Sequence, residues 1–219
     1  MSEAAQPPET GIIESYRKHY AATFARHGAT SRGVDWGEWP DVHVRYEKML
    51  EVIRARRSEA AVPTLLDVGC GFGGLLDYAN EHSVALDYVG IDLVPDMIEH
   101  ARTRHPGARF IVGDILNAQE LPRVDYAVCN GILTLKLEAS IIQMDRFAQQ
   151  LIRRMFAVAQ RGIAFNMMTT HVNFMAPNLF YKSPVETLAL CAELSRRFRL
   201  EQDYPLYEYT AYVYKEGAI

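Results

Sequence analysis

The sequence is short of cysteine, of long apolar runs and of basic charge, and each shortage closes off a class of function. Only three cysteines occur in 219 residues, at Cys70, Cys129 and Cys191. They are far apart, odd in number and form no C-x-x-C pair, so neither a disulfide framework nor a zinc knuckle is indicated. No stretch approaches the roughly 20 apolar residues of a membrane span. Lys and Arg number 23 against 27 Asp and Glu, a formal net charge of −4. That mild acidity gives no general electrostatic reason to approach DNA, RNA or an anionic membrane. No H-x-E pair or carboxylate cluster suggests a catalytic metal. The opening MSEAAQPPET is polar with no apolar run behind it, which reads as a disordered tail over residues 1–10 rather than a secretion signal. The expectation is a cytoplasmic protein.

What is present is a strand–helix alternation. Residues 12–27 place Ile13, Tyr16, Tyr20 and Phe24 on one helical stripe that Gly28 would stop. Residues 29–40 read as an irregular loop, and Asp41 to about Arg57 as a second helix. From Thr64 the pattern changes. TLLDVGC, DYVGIDL, RFIVGD, DYAVCNGIL and GIAFNMM read as strands. Helices fall between them at 72–81, 95–105 and 138–160. A further helix begins at Ser183, with Ser183 as N-cap, Pro184 as first residue and Glu186 at the capping-box position. The chain then offers RFRLEQDY and YEYTAYVYK with no helix between them. Alternation means a parallel sheet with helices on both faces. A parallel crossover needs a dozen residues or more, so the last two strands form an antiparallel hairpin.

The sharpest local signal is LLDVGCGFGG, in which Gly69, Gly71 and Gly74 satisfy G-x-G-x-x-G between a strand and a helix. Glycine permits the tight turn and lets a ligand approach the main chain. The motif fits a dinucleotide or S-adenosylmethionine alike. Asp67, at the strand end, would oppose a pyrophosphate but could accept hydrogen bonds from an ammonium group. Asp92, ending the next strand, can accept from both ribose hydroxyls, a contact that both nucleotide classes use. Asp114, in GDI after the third strand, could take the adenine amino group while Ile115 packs on the ring.

On DVGCGFG, GIDLVPDM, FIVGDI and the final hairpin, the chain from Thr64 to Tyr214 resembles the class I S-adenosylmethionine-dependent methyltransferases, in particular compact bacterial enzymes acting on small metabolites. The resemblance implies a Rossmann-like, mostly parallel seven-stranded α/β sheet with one reversed strand over residues 61–219. An N-terminal helical cap over 11–60 would precede it. It also implies S-adenosylmethionine as methyl donor, S-adenosylhomocysteine as product and no metal. Asp67, Gly69, Cys70, Gly71, Asp92, Leu93, Asp114 and Ile115 would line the cofactor, and Asn130 would lie beside its methionine portion and sulfonium.

Other residues carry two readings each. Arg45 either clamps the methionine carboxylate with its planar fork or is a solvated helix arginine. Tyr16, Tyr20 and Trp36 form a lid over cofactor and acceptor, or are packing anchors. His171, after the fifth strand, is the candidate base or a loop histidine. Asn166, Asn173, Tyr181 and Tyr207 are candidates for the acceptor pocket, and Lys136 for pairing with an anionic substrate. Cys70 and Cys129 also fit as buried packing residues. The aromatic and Asn-containing stretch from Thr169 to Ser183 reads as an acceptor-covering insertion, and CNGIL lacks the N-P-P-[YF] loop of amide and base methylation. The expected activity is methyl transfer to an oxygen or nitrogen of a small molecule, by a monomer or homodimer. A protein or RNA methyltransferase, an NAD-binding oxidoreductase and a non-catalytic nucleoside-binding module remain open.

Overall fold

The computed structural model describes residues 8–37, 39–54 and 61–217. Helix α1 (Pro8–His27) buries Ile12 and Tyr16, and Gly28 ends it in a left-handed conformation, its N–H donating to the Phe24 carbonyl at 2.7 Å. Residues 8–10, expected in a disordered tail, already belong to α1; residues 1–7 lie outside the described residues. A short 3₁₀ turn (Ser31–Val34) leads to α2 (Trp39–Arg54). The last residues of the helix expected to reach Arg57 lie outside the described residues.

The sheet then builds in the expected alternation. Its elements are β1 (Thr64–Val68), α3 (Gly74–Glu81), β2 (Asp87–Asp92), α4 (Pro95–Arg104), β3 (Arg109–Val112), β4 (Val124–Cys129), α5 (Ile141–Val158) and β5 (Ala159–Thr169). After β6 (Tyr181–Lys182), a two-residue strand beside β5, come α6 (Pro184–Leu194), β7 (Arg197–Glu201) and β8 (Glu208–Tyr214). The strand order is β3-β2-β1-β4-β5-β8-β7, all parallel except β8, which is antiparallel to both β5 and β7. The expected hairpin and mostly parallel Rossmann-like sheet are therefore present.

Period-2 alternation puts a core on each face. Leu66, Val68, Ala127, Cys129, Ile163 and Phe165 face α5, which buries Phe147, Leu151 and Met155. Leu65, Tyr126, Val128, Ala164 and Tyr212 face α2 and α3, with Met49, Leu50 and Leu75 between. Within the expected cap over 11–60, helix α2 packs in the layer that covers the sheet. Helix α1 and the segment behind it line the cleft, and α2 adds Tyr46 to its wall.

Two capping details differ from the sequence reading. Helix α5 starts at a full capping box, Ser140 with Gln143, and not at Glu138. Ser183 does precede α6, but its side chain makes no capping bond, and Glu186 pairs with Lys182 at 2.6 Å.

Candidate active site

The carboxyl ends of the parallel strands open into one cleft, where open α/β sheets bind ligands. Gly69, Gly71 and Gly73 take positive φ of 72°, 53° and 89° between β1 and α3, a run of left-handed residues that only glycine adopts without strain. Gly74, the motif's third glycine, serves packing instead. A Cβ there would lie 2.2 Å from the Tyr46 hydroxyl, so it sets how closely α2 approaches α3.

Three carboxylates follow in strand order. Asp114, after β3, accepts from the Leu116 N–H at 2.9 Å and from Asn117 Nδ2 at 2.6 Å. Beside it, Ile115 is buried in the cleft wall. Asp92 ends β2 and accepts the Gly71 N–H on Oδ2 and the Val94 N–H on Oδ1, both at 2.9 Å. It thus fastens the glycine turn as well as facing the cleft. Burial raises its carboxyl above the usual range, and these N–H groups oppose the shift. Asp67, in β1, receives the Tyr88 hydroxyl at 2.6 Å. Burial pushes its carboxyl up to about 7, with the Tyr88 bond acting the other way.

Next in order, after β4, stands Asn130. It is 7% exposed, lines the cleft, and neither its amide nitrogen nor its oxygen has a hydrogen-bond partner. A buried amide without partners costs about 1–3 kcal/mol per orphaned group, so the pair marks a place for a polar ligand. Its neighbour Gly131 has φ 87° and donates its N–H to Asn166 Oδ1 at 2.8 Å.

The roof is α1 and the segment after it. Ile13, Tyr16, Tyr20, Val34 and Trp36 all line the cleft. Tyr16 pins the helix in place, its hydroxyl donating to the Ile132 carbonyl at 3.0 Å and to the Leu135 carbonyl. Leu93 and Cys70 complete the wall beside the carboxylates, and burial pushes the Cys70 thiol well up.

The remaining candidates lie elsewhere. Arg45 is not in the cleft wall. Its Nε and Nη2 grip Glu208, at 2.9 and 2.5 Å to Oε1, which leaves only the buried Nη1 without a partner. Asn166 is 1% exposed, also outside the wall, and spans Gly131 and Glu208. His171 is exposed. Phe165 in β5 is level with Cys129, the last residue of β4, but β5 continues to Thr169 and carries His171 past the cleft. Asn173 and Tyr207 are exposed too, and the Tyr181 hydroxyl is taken by the Ala176 N–H at 3.0 Å. Lys136 donates to the Leu137 and Ala139 carbonyls. The insertion from Thr169 to Ser183 packs on the segment after β4, with Phe180 N–H to the Thr134 carbonyl and Lys136 N–H to the Asn178 carbonyl, both at 2.8 Å. It does not cover the cleft.

The sequence reading passed over Tyr46, Tyr88, Gly131 and Glu208. Glu208 had a signal. It is an acid in the aromatic run YEYTAYVYK, where burial on both faces demands a partner. Tyr46, Tyr88 and Gly131 had none beyond their residue type.

A family model described as a methyltransferase domain matches residues 65–162. A Mycobacterium tuberculosis protein that bears a methyltransferase name, Rv1506c, is 33% identical over 153 residues, 68% of this chain and 91% of that protein. A fatty-acid O-methyltransferase of Mycolicibacterium smegmatis is 36% identical over 83 residues, 37% of this chain and 29% of that enzyme. Among solved structures, the magnesium protoporphyrin IX methyltransferase of Synechocystis PCC 6803, with bound S-adenosylmethionine, superposes with a TM-score of 0.63. It is 12% identical over 98% of this chain and 100% of its own, a likeness of fold.

Proposed function

The chain belongs to the class I S-adenosylmethionine-dependent methyltransferases, and from that premise we propose that it methylates an oxygen or nitrogen of a small metabolite. The observation that carries the acceptor class is the roof. Helix α1 and Trp36 close the cleft from above, and Tyr16 ties α1 to the segment after β4. A nucleic acid or protein chain needs an open groove; a covered, aromatic-walled cleft suits a ligand that enters whole. Among the described residues, no helix is long and apolar enough to cross a membrane.

The residues fit the expected cofactor on this structure's own terms. The glycine turn leaves the main chain bare, Asn130 has an unpartnered amide, and Asp67 sits where an ammonium group would favour its charged form. In this reading Asp92 holds the ribose hydroxyls, Asp114 the adenine amino group and Ile115 the ring face. Asp67 and Asn130 take the amino-acid end. When bound, S-adenosylmethionine supplies an electrophilic methyl on a leaving group that needs no proton.

The protein's share is then orientation and exclusion of water. Tyr20, in the roof, has its phenol pushed well above the ordinary range by burial, so at neutral pH it is a hydrogen-bond donor and not a base. In this reading His171, exposed beyond the end of β5, is not the base. We assign the acceptor to the space between the roof and Asn130.

The test is incubation of a metabolite extract with methyl-labelled S-adenosylmethionine, followed by identification of the labelled product. Label in small molecules is the expected result. Label only in protein or RNA would favour the open-groove alternative. Tight NADH binding with no response to S-adenosylhomocysteine would overturn the reading.

A further inference from the structure

Asp114, Asp92, Gly69 and Asn130 run across the ends of β3, β2, β1 and β4. The next strands outward are β5 and β8, and each carries a fully buried polar side chain. Asn166 is 1% exposed and Glu208 is 2% exposed. Neither touches the cleft. Resting on the methyltransferase reading, we propose that Arg45, Glu208 and Asn166 are positioning residues, a buried relay that sets the acceptor side of the cleft.

The relay has a direction. Arg45 on α2 lays its Nε and Nη2 on the Glu208 carboxylate, with contacts of 2.9, 3.1 and 2.5 Å. A carboxylate gripped by arginine presents only acceptors to its other neighbours. Asn166 therefore turns its Nδ2 to Glu208 Oε2, at 2.6 Å, which leaves its oxygen for the Gly131 N–H at 2.8 Å. Gly131 in turn abuts Trp36 in the roof. A Cβ on Gly131 would lie 2.8 Å from the Trp36 Nε1. Arg45 closes the circuit, its guanidinium 5.5 Å from the Trp36 ring centre.

Cohesion alone does not call for charges here. A buried ion pair is often no more stable than apolar side chains of the same volume. What it adds is orientation, passed from α2 through β8 and β5 to the peptide beside Asn130. That peptide and the indole it touches bound the space assigned to the acceptor.

The test uses two variants of the full chain, Asn166→Ala and the paired Arg45→Met with Glu208→Leu, the second keeping volume while removing both charges. The readouts are the Gly131 amide and Trp36 indole N–H resonances, S-adenosylhomocysteine affinity by calorimetry, and kcat and KM on the acceptor recovered from the labelled extract. Both variants should shift the two resonances and keep S-adenosylhomocysteine affinity within about twofold. Each should lose kcat by ~10–100-fold, the scale of a misplacement near 1 Å. Unmoved resonances, or full kcat in a folded variant, would overturn the relay. So would a parallel fall of kcat and cofactor affinity with melting temperature, the mark of a merely structural tie. If the paired variant does not fold, Asn166→Ala carries the same readouts. A wild-type protein that ignores S-adenosylhomocysteine would sink the family-based reading instead, while the two resonances still judge the relay.

Discussion

The two halves of the cleft are assembled differently. The half over β1, β2 and β3 draws its polar groups from one stretch, Asp67 to Asp114, in which each acid sits at or just beyond its strand and is held by nearby backbone N–H groups or by Tyr88 on the adjacent strand. The half over β4 collects Tyr16, Trp36, Asn130 and Gly131 from three separate parts of the chain, braced by Asn166 and Glu208 from two more. A half made from local turns carries its function in short motifs. A half made by docking carries it in contacts that exist only once the chain is folded.

The sharpest way to break this contrast is Asp92→Ala. It removes the acceptor proposed for two ribose hydroxyls, at about 1.5–3 kcal/mol for each bond to a charged group, and unties Gly71 and Val94. Binding of S-adenosylhomocysteine should weaken by ~100-fold or more, with a lower melting temperature. Unchanged affinity in calorimetry would remove Asp92 from the site.

Asp67 gives the next largest effect, and its sign is fixed. With its carboxyl raised to about 7 in the empty cleft, the carboxylate that an ammonium needs is depleted as pH falls below that value. Affinity for S-adenosylhomocysteine should be flat above about pH 7 and decline below it by up to ~10-fold per pH unit, with uptake of the ligand releasing a proton. Stability of the empty protein runs the other way. The folded state holds this proton up to about 7, whereas the unfolded chain releases it near 3.8, so stability is lost as pH rises between the two. Asp67→Asn should abolish the pH dependence of binding and raise the melting temperature at pH 8. A pH-independent wild-type affinity between 6 and 8 would refute the assignment.

On the docked side, Tyr16→Phe leaves the Ile132 and Leu135 carbonyls without their donor, a loss of about 1 kcal/mol. Hydrogen exchange along α1 should accelerate while S-adenosylhomocysteine affinity falls by less than tenfold. Protection of α1 equal to wild type would show that the phenol is not the pin.

The smallest effect should come from His171→Ala. The ring is exposed beyond the end of β5 and outside the cleft wall, so stability should change by no more than about 0.5 kcal/mol and turnover should stay close to wild type. A large loss of turnover would bring the insertion back to the cleft.

The legibility of the sequence followed the same division. The alternation from Thr64, the reversed final strand and the carboxylates at strand ends follow from periodicity and from local turn chemistry. In the docked half, distance along the chain is a poor guide to distance in space. His171 follows a strand of the sheet, as the acids do, but β5 runs several residues past the end of β4 and no sequence pattern announces that. Arg45 has the right chemistry for a carboxylate clamp, and the carboxylate that takes it lies in β8, on the far side of the chain. The insertion of 169–183 has the composition of a cover, but its backbone pairs with the segment after β4.

The reversed strand has a consequence for how the protein is made. β7 precedes β8 in the chain but lies outside it, with β8 bridging the space to β5. During synthesis, which delivers domains from the N-terminus, the strands β1 to β5 can pair as they emerge, whereas β7 must wait without a neighbour until β8 threads between. The final seven-residue strand therefore closes the sheet in one late, long-range step, the kind that slows folding and leaves strand edges open meanwhile. Glu208 is the first residue of that strand. A nascent chain would thus own its glycine turn well before the far wall of its cleft, and a chaperone or an early-bound ligand would find the two walls at different ages.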